Sequence, residues 1–176
     1  MPEVKGFRGY RFDSEAAGRY NDVITPPYDV INPSQRAELM ARSPHNMVHV
    51  LLPEGEGDER YRNAANRLDS WIAKGVMKQD PEPSLYVLSQ TFHGLDGEEL
   101  VRKGFFAVAR LPEYGKSSFL DHERVFEKKV TDRLTLTEHT RANLGAVFVM
   151  YRDPENELRP LYDVADERTE DMRAVT

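Results

Sequence analysis

The sequence predicts an α+β protein: a mixed, largely antiparallel sheet with a long hairpin and two to four packed helices. Three observations lead there. Strand-like and helix-like stretches alternate with short connections, an Asp96-Gly97 pair sits between two β-rich runs, and the stretch from Asp58 to Lys74 is amphipathic at helical spacing.

The elements follow in order. Val4 to Phe12 alternates Gly and basic residues with Phe7, Tyr10 and Phe12 and reads as a strand. Val-Ile-Thr-Pro-Pro-Tyr-Asp-Val-Ile-Asn from Val23 to Asn32 is the most informative stretch. Each proline fixes φ and removes a backbone donor, and the residue before a proline is pushed out of the α region. Tyr28 and Asp29 therefore leave a stiff platform. The plain structural reading is a strand ending in a turn, with Asn32 capping a helix from Pro33 to Arg42, and such rigid loops are also where function is carried. Ser43-Pro44 stops that helix, and Met47 to Leu52 reads as a short buried strand.

In the helix from Asp58 to Lys74, Tyr61, Ala64, Ala65, Leu68, Trp71 and Ile72 form the packing face, and Gly75 ends it. After Asp80-Pro81-Glu82-Pro83 the hairpin runs from Ser84 to His93, turns at Gly94-Leu95-Asp96-Gly97 and returns from Glu99 to Leu111. A loop from Pro112 to Ser118 leads to Phe119-Leu120 and a polar stretch from Asp121 to Arg133. Leu134 to Ala142 reads as a helix and Gly145 to Tyr151 as a buried strand. The expected organisation is one α+β domain over residues 1–153, then a polar tail, or the stump of a further element, over residues 154–176.

Composition narrows the function classes. At 39% hydrophobic and 31% charged residues the chain is of the ordinary globular class, and its net charge of -6 disfavours general attraction to nucleic acid or anionic lipid. The absence of cysteine removes disulfides, thiolate catalysis and Cys-based zinc sites. No apolar run approaches the roughly 20 residues of a membrane span and no signal-peptide core is present, so no membrane role and a cytoplasmic location are expected. Gly-rich phosphate loops of the Walker or dinucleotide type, Gly-x-Ser-x-Gly and His-Glu-x-x-His are all missing.

The densest chemistry is Asp121-His122-Glu123-Arg124 with Lys128, Lys129, Asp132 and Arg133. Carboxylates that accept a proton or hold Mg²⁺, beside cations that neutralise phosphate oxygens, are what phosphoryl transfer requires. A charged loop in so polar a chain is ordinarily a solvated face; its pairing with the proline corner is what gives the cluster weight. His45 and His49 straddle the expected strand start and do not share a helix face, so metal-ligand spacing is not realised. His93 and His139 read as surface residues.

A set of motifs carries a family resemblance. Thr25-Pro26-Pro27-Tyr28-Asp29-Val30-Ile31, Ser43-Pro44-His45-Asn46-Met47-Val48, Asp69-Ser70-Trp71 with Gly75-Val76, Leu85-Tyr86-Val87 with Gln90-Thr91-Phe92, Arg102-Lys103-Gly104-Phe105, His122-Glu123-Arg124, Asp132-Arg133-Leu134 and Ala142-Asn143-Leu144 occur in order. Over roughly residues 4–153 the chain resembles the N-terminal half of the domain-of-unknown-function ten-fifteen family, distantly similar to ParB-like kinases of free serine.

The resemblance implies ATP-dependent phosphorylation of free L-serine, with ATP and Mg²⁺ as cofactors. Tyr28 and Asp29 fall on the proline-turn motif and, with Lys129 and Arg133, are the implied substrate- or phosphate-binding residues. Glu123 is the implied general base or a metal-binding carboxylate, next to His122, and Asp132 would orient Arg133 or hold the metal. Family members continue into an Asp-Gly-His-His-Arg motif that this sequence lacks, which implies an incomplete, kinase-like module that needs a C-terminal partner chain or a homo-oligomer. The other expectation is a noncatalytic small-anion-binding or assembly module; a ParB-like nucleic-acid binder is disfavoured by the acidic balance.

Overall fold

A computed structural model of the chain describes residues 3–113, 119–120, 127–168 and 172–174, without the side chain of Lys128. In chain order the elements are β1 (Val4–Lys5), β2 (Tyr10–Phe12), α1 (Ser14–Ala17), α2 (Tyr20–Val23), α3 (Pro33–Arg42), α4 (Val48–Leu51), α5 (Gly57–Ala73), β3 (Met77–Gln79), β4 (Tyr86–His93), β5 (Glu99–Phe106), β6 (Val108–Ala109), α6 (Glu127–Thr140) and α7 (Arg159–Asp166). The fold class is α+β, and the described strands pair antiparallel in three two-stranded sheets, β1-β6, β2-β3 and β4-β5. The chain divides into two units: Met1–Gly9 with Asp80–Asp121 and Ala146–Asp171, and Tyr10–Gln79 with His122–Gly145 and Met172–Thr176.

The first unit is organised by the hairpin. Its register runs from Tyr86↔Phe106 to His93↔Glu99, and the turn is closed by Gly94 N–H donating to Glu98 O at 2.8 Å. Gly97 has φ +79°, the left-handed conformation that makes Asp-Gly a hairpin signal. At the base, Phe7 and Ser84 exchange backbone hydrogen bonds of 3.0 and 2.9 Å, and Tyr86 Oη accepts from Gly9 N–H at 2.7 Å. A Cβ at residue 9 would lie 2.9 Å from that hydroxyl, so the contact requires glycine. The alternation of the strands puts Leu88, Phe92, Leu100 and Phe106 on one face, each between 37% and 43% exposed.

The second unit holds all the buried apolar side chains among the described residues. Tyr61, Ala64, Leu68 and Trp71 of α5 pack with Phe12, Val23, Val50, Val76, Met77 and, from α6, Leu136. Asn32 starts α3 through a capping box: its side chain accepts from Gln35 N–H at 2.9 Å while Gln35 Oε1 accepts from Asn32 N–H at 3.0 Å. Gly75, at φ +71°, ends α5 as expected.

Several local expectations are corrected. Met47 to Leu52 is a helical turn, α4, and not a strand. Asn46 Oδ1 accepts from Val48 N–H at 3.0 Å and Met47 O accepts from both Val50 and Leu51, so local bonds claim the backbone groups a ladder would need. Gly145 to Tyr151 forms no strand; Val147 to Tyr151 are at least half exposed, and among the described residues no neighbouring strand supplies the partners that β propensity requires. Val4 to Phe12 splits into β1 and β2, which serve different sheets. Asp13, accepting from Glu15 and Ala16 N–H at 3.1 Å, caps the unforeseen α1. Helix α6 begins at Glu127, well before Leu134, and the chain entering the proline turn comes from the helical turn α2, not from a strand.

Candidate functional site

The site in the second unit is built from a buried amide outward. Asn46, wholly buried, donates through Nδ2 to Asp22 O at 2.7 Å and Ile24 O at 3.1 Å, and Met47 N–H donates to Val23 O at 2.7 Å. These bonds clamp the chain just before Thr25-Pro26-Pro27. Beyond the clamp, Thr25 Oγ1 donates to Pro26 O at 2.8 Å and Val30 N–H to Pro27 O at 3.2 Å, which closes the corner. Tyr28 leaves it half-buried and Asp29 exposed.

Against this corner comes α6. Lys129, Asp132 and Arg133 share a helix face by their i, i+3, i+4 spacing. The Arg133 guanidinium lies over the Tyr28 ring, 4.1 Å from its centroid. Its Nε donates to Asp132 Oδ2 at 2.9 Å, Nη2 donates to the same oxygen, and Nη1 donates to Leu51 O at 3.0 Å. The other carboxylate oxygen, Oδ1, accepts from Arg60 Nη2 at 2.6 Å and Tyr61 Oη at 2.8 Å. Arg60 also donates to the Tyr61 hydroxyl, and the Tyr61 ring packs 5.6 Å from His139.

Burial works against the charged form of Asp132, but hydrogen bonds from Arg133 and Tyr61 and the charges of Arg133 and Arg60 together outweigh it, so its pKa falls below the ordinary carboxylate value. Two guanidinium groups around one carboxylate leave the cluster positive, and exposed Lys129 adds to it. A guanidinium has five donors, and the bonds described leave one hydrogen on each terminal nitrogen of Arg133. Arg60 Nε is buried with no acceptor among the described residues. Chemically the arrangement is a rigid, partly buried patch of donors and positive charge, suited to oxygens of a small anion.

Of the residues singled out from the sequence, the structure brings Tyr28, Asp132 and Arg133 together, with Lys129 on the same face of α6. Asp29 is exposed beside Tyr28, with no ion pair among the described residues. His122 and Glu123 lie outside the described residues. Arg60 and Tyr61 were missed as site residues, because their spacing in α5 marks Tyr61 as core and Arg60 as surface. Among the described residues no group of three or more His, Asp or Glu side chains could hold a metal ion, and no helix is long and apolar enough to cross a membrane.

Fold and site thus define an α+β protein with a cationic cluster at a proline corner. The family described as Protein of unknown function (DUF1015) matches residues 4–176, and the chain belongs to that family. No curated protein and no solved structure matches it.

Proposed function

We propose that this chain is the anion-handling part of an ATP-dependent kinase of free L-serine, inactive alone. The observation that supports the reading is Arg133, held between the Tyr28 ring and the Asp132 carboxylate with hydrogens still available for phosphate oxygens. A guanidinium so fixed loses little freedom on taking up an anion, and preorganised positive charge is what phosphoryl transfer needs. Lys129 supplies further charge. Glu123 is assigned as the base that takes the seryl hydroxyl proton, with His122 beside it in sequence. Asp29 contacts substrate. The cationic residues fit the phosphates of ATP. Asp132 does not fit Mg²⁺ well, since both its oxygens already accept from Arg60, Tyr61 and Arg133; its role in this reading is to orient Arg133.

The test is ADP formation with L-serine and Mg-ATP, for the chain alone and with a second chain carrying the Asp-Gly-His-His-Arg motif. Turnover only with the partner, abolished by Glu123→Gln, is the expected result. Absence of turnover in both conditions favours a second reading, a noncatalytic anion-binding or assembly module. That reading draws on the apolar hairpin face of Leu88, Phe92, Leu100 and Phe106, which suits docking of another chain or copy. Concentration-dependent light scattering that falls with Phe92→Ser supports it.

A further inference from the structure

A concavity of about 450 Å³ in the same unit shares no residue with the Tyr28 and Arg133 network. One wall is the face of α5 that carries Asn66, Arg67, Ser70 and Lys74; the spacing of i, i+1, i+4 and i+8 keeps these on one side of the helix. The other wall is formed by His45, from the turn before α4, and by His49 of α4. Trp71 forms the floor, 4% exposed, with the His45 ring edge-on to it at 6.1 Å.

The polar groups of this cleft are unbalanced. Arg67 is half-buried and Lys74 exposed, and among the described residues no carboxylate pairs with either. Glu54 is the one acid in the lining. Burial, then the Arg67 charge, push the His49 pKa below the ordinary value, which disfavours its charged form. Its Nε2 lies 3.1 Å from Ser43 O, and Nδ1 is buried without a partner at hydrogen-bond geometry. Ser70 and the Asn66 amide add neutral donors. A volume of several hundred Å³ with an aromatic floor and a few convergent polar groups is of the size that takes a small metabolite.

We propose that this cleft is a second binding site, for a small organic anion bearing a phosphate or carboxylate held by Arg67 and Lys74 over Trp71. It stands independently of the kinase reading, since neither its residues nor its ligand depend on Arg133. A guanidinium and an ammonium two turns apart on the same helix face receive the anionic group, Ser70 and Asn66 complete its hydrogen bonds, and the indole covers the apolar remainder.

Trp71 is the only tryptophan in the chain, so the tryptophan fluorescence comes from the floor of this cleft. The full chain is titrated with inorganic phosphate and with succinate, against sodium chloride at matched ionic strength. The expected result is a saturable change with at least one of the two, at a Kd of about 1 mM or tighter. It weakens about tenfold or more in both Arg67→Gln and Lys74→Gln, each verified as folded by circular dichroism, and persists in Arg133→Lys. Lys74 is exposed near the end of α5, so its substitution serves as the test if Arg67→Gln perturbs the fold. A response no larger than with chloride, one that survives Lys74→Gln, or one lost in Arg133→Lys overturns the proposal.

Discussion

Arg133 lies face-on over Tyr28, 4.1 Å from the ring centroid, although the two residues come from opposite halves of the sequence. A cation on an aromatic face at a partly exposed position contributes about 0.5–1 kcal/mol. A double-mutant cycle of Tyr28→Leu and Arg133→Gln, read by urea unfolding, is expected to show a coupling of about that size. Strict additivity would mean that the contact carries no energy.

Asn46 governs where that corner sits. Its amide serves the carbonyls of Asp22 and Ile24 and the N–H of Val48 from a wholly buried position. Asn46→Ala leaves several buried polar groups unpaired and is expected to cost on the order of 2–4 kcal/mol. Asn46→Asp fares no better, because a carboxylate cannot donate to two carbonyls. Chemical denaturation checks both; a loss under about 0.5 kcal/mol, the level of an ordinary surface change, contradicts the clamp.

Acid stability follows from Asp132. Its folded pKa lies below the ordinary aspartate value, so the unfolded state takes up a proton first as pH falls. The contribution is complete above the unfolded value and disappears as pH drops through the folded one. Thermal unfolding followed downward from about pH 5 should therefore show a shallower acid limb in Asp132→Asn than in the parent, with the variant less stable at neutral pH.

A second pH dependence, at higher pH, comes from His49. Burial, then the Arg67 charge, depress its pKa below the ordinary histidine value of about 6.5 in the folded state. The unfolded chain again binds the proton more readily, so stability is retained above about pH 6.5 and falls as pH drops through the folded value. The melting temperature of the parent should decline over this window more than that of His49→Gln. Identical profiles would show that the ring is free to charge in place.

Much of this was legible in the sequence, for reasons that particular residues make plain. The Asn32 cap, the α5 face of Tyr61, Leu68 and Trp71, and the Asp96-Gly97 turn are local signals, each complete within a few residues, and each appears as read. Val48 and Val50 misled, because two β-branched residues in an apolar run favour a strand only where a neighbour completes the ladder; here Asn46 and Met47 satisfy the backbone first. The same lack of a neighbour leaves Val147 to Tyr151 outside any sheet. In the site, Tyr28, Asp132 and Arg133 could be singled out by residue type and motif. Arg60 could not, since its role depends on α5 crossing α6, a contact between positions distant in sequence. His45 and His49 were set aside on the expected strand, and its replacement by a helical turn is what brings them to one cleft.

Uptake of phosphate oxygens by the Arg133 cluster is the property on which the proposed activity depends. Side-chain ¹⁵N NMR of Arg133, assigned with Arg133→Lys and recorded in an Arg67→Gln background to silence the second cleft, reads this during titration with O-phospho-L-serine. The Arg133 Nε resonance should move saturably, and more weakly in Lys129→Gln. A resonance that stays fixed throughout the titration would mean that Arg133 is a structural lock between Tyr28 and Asp132 and binds no anion.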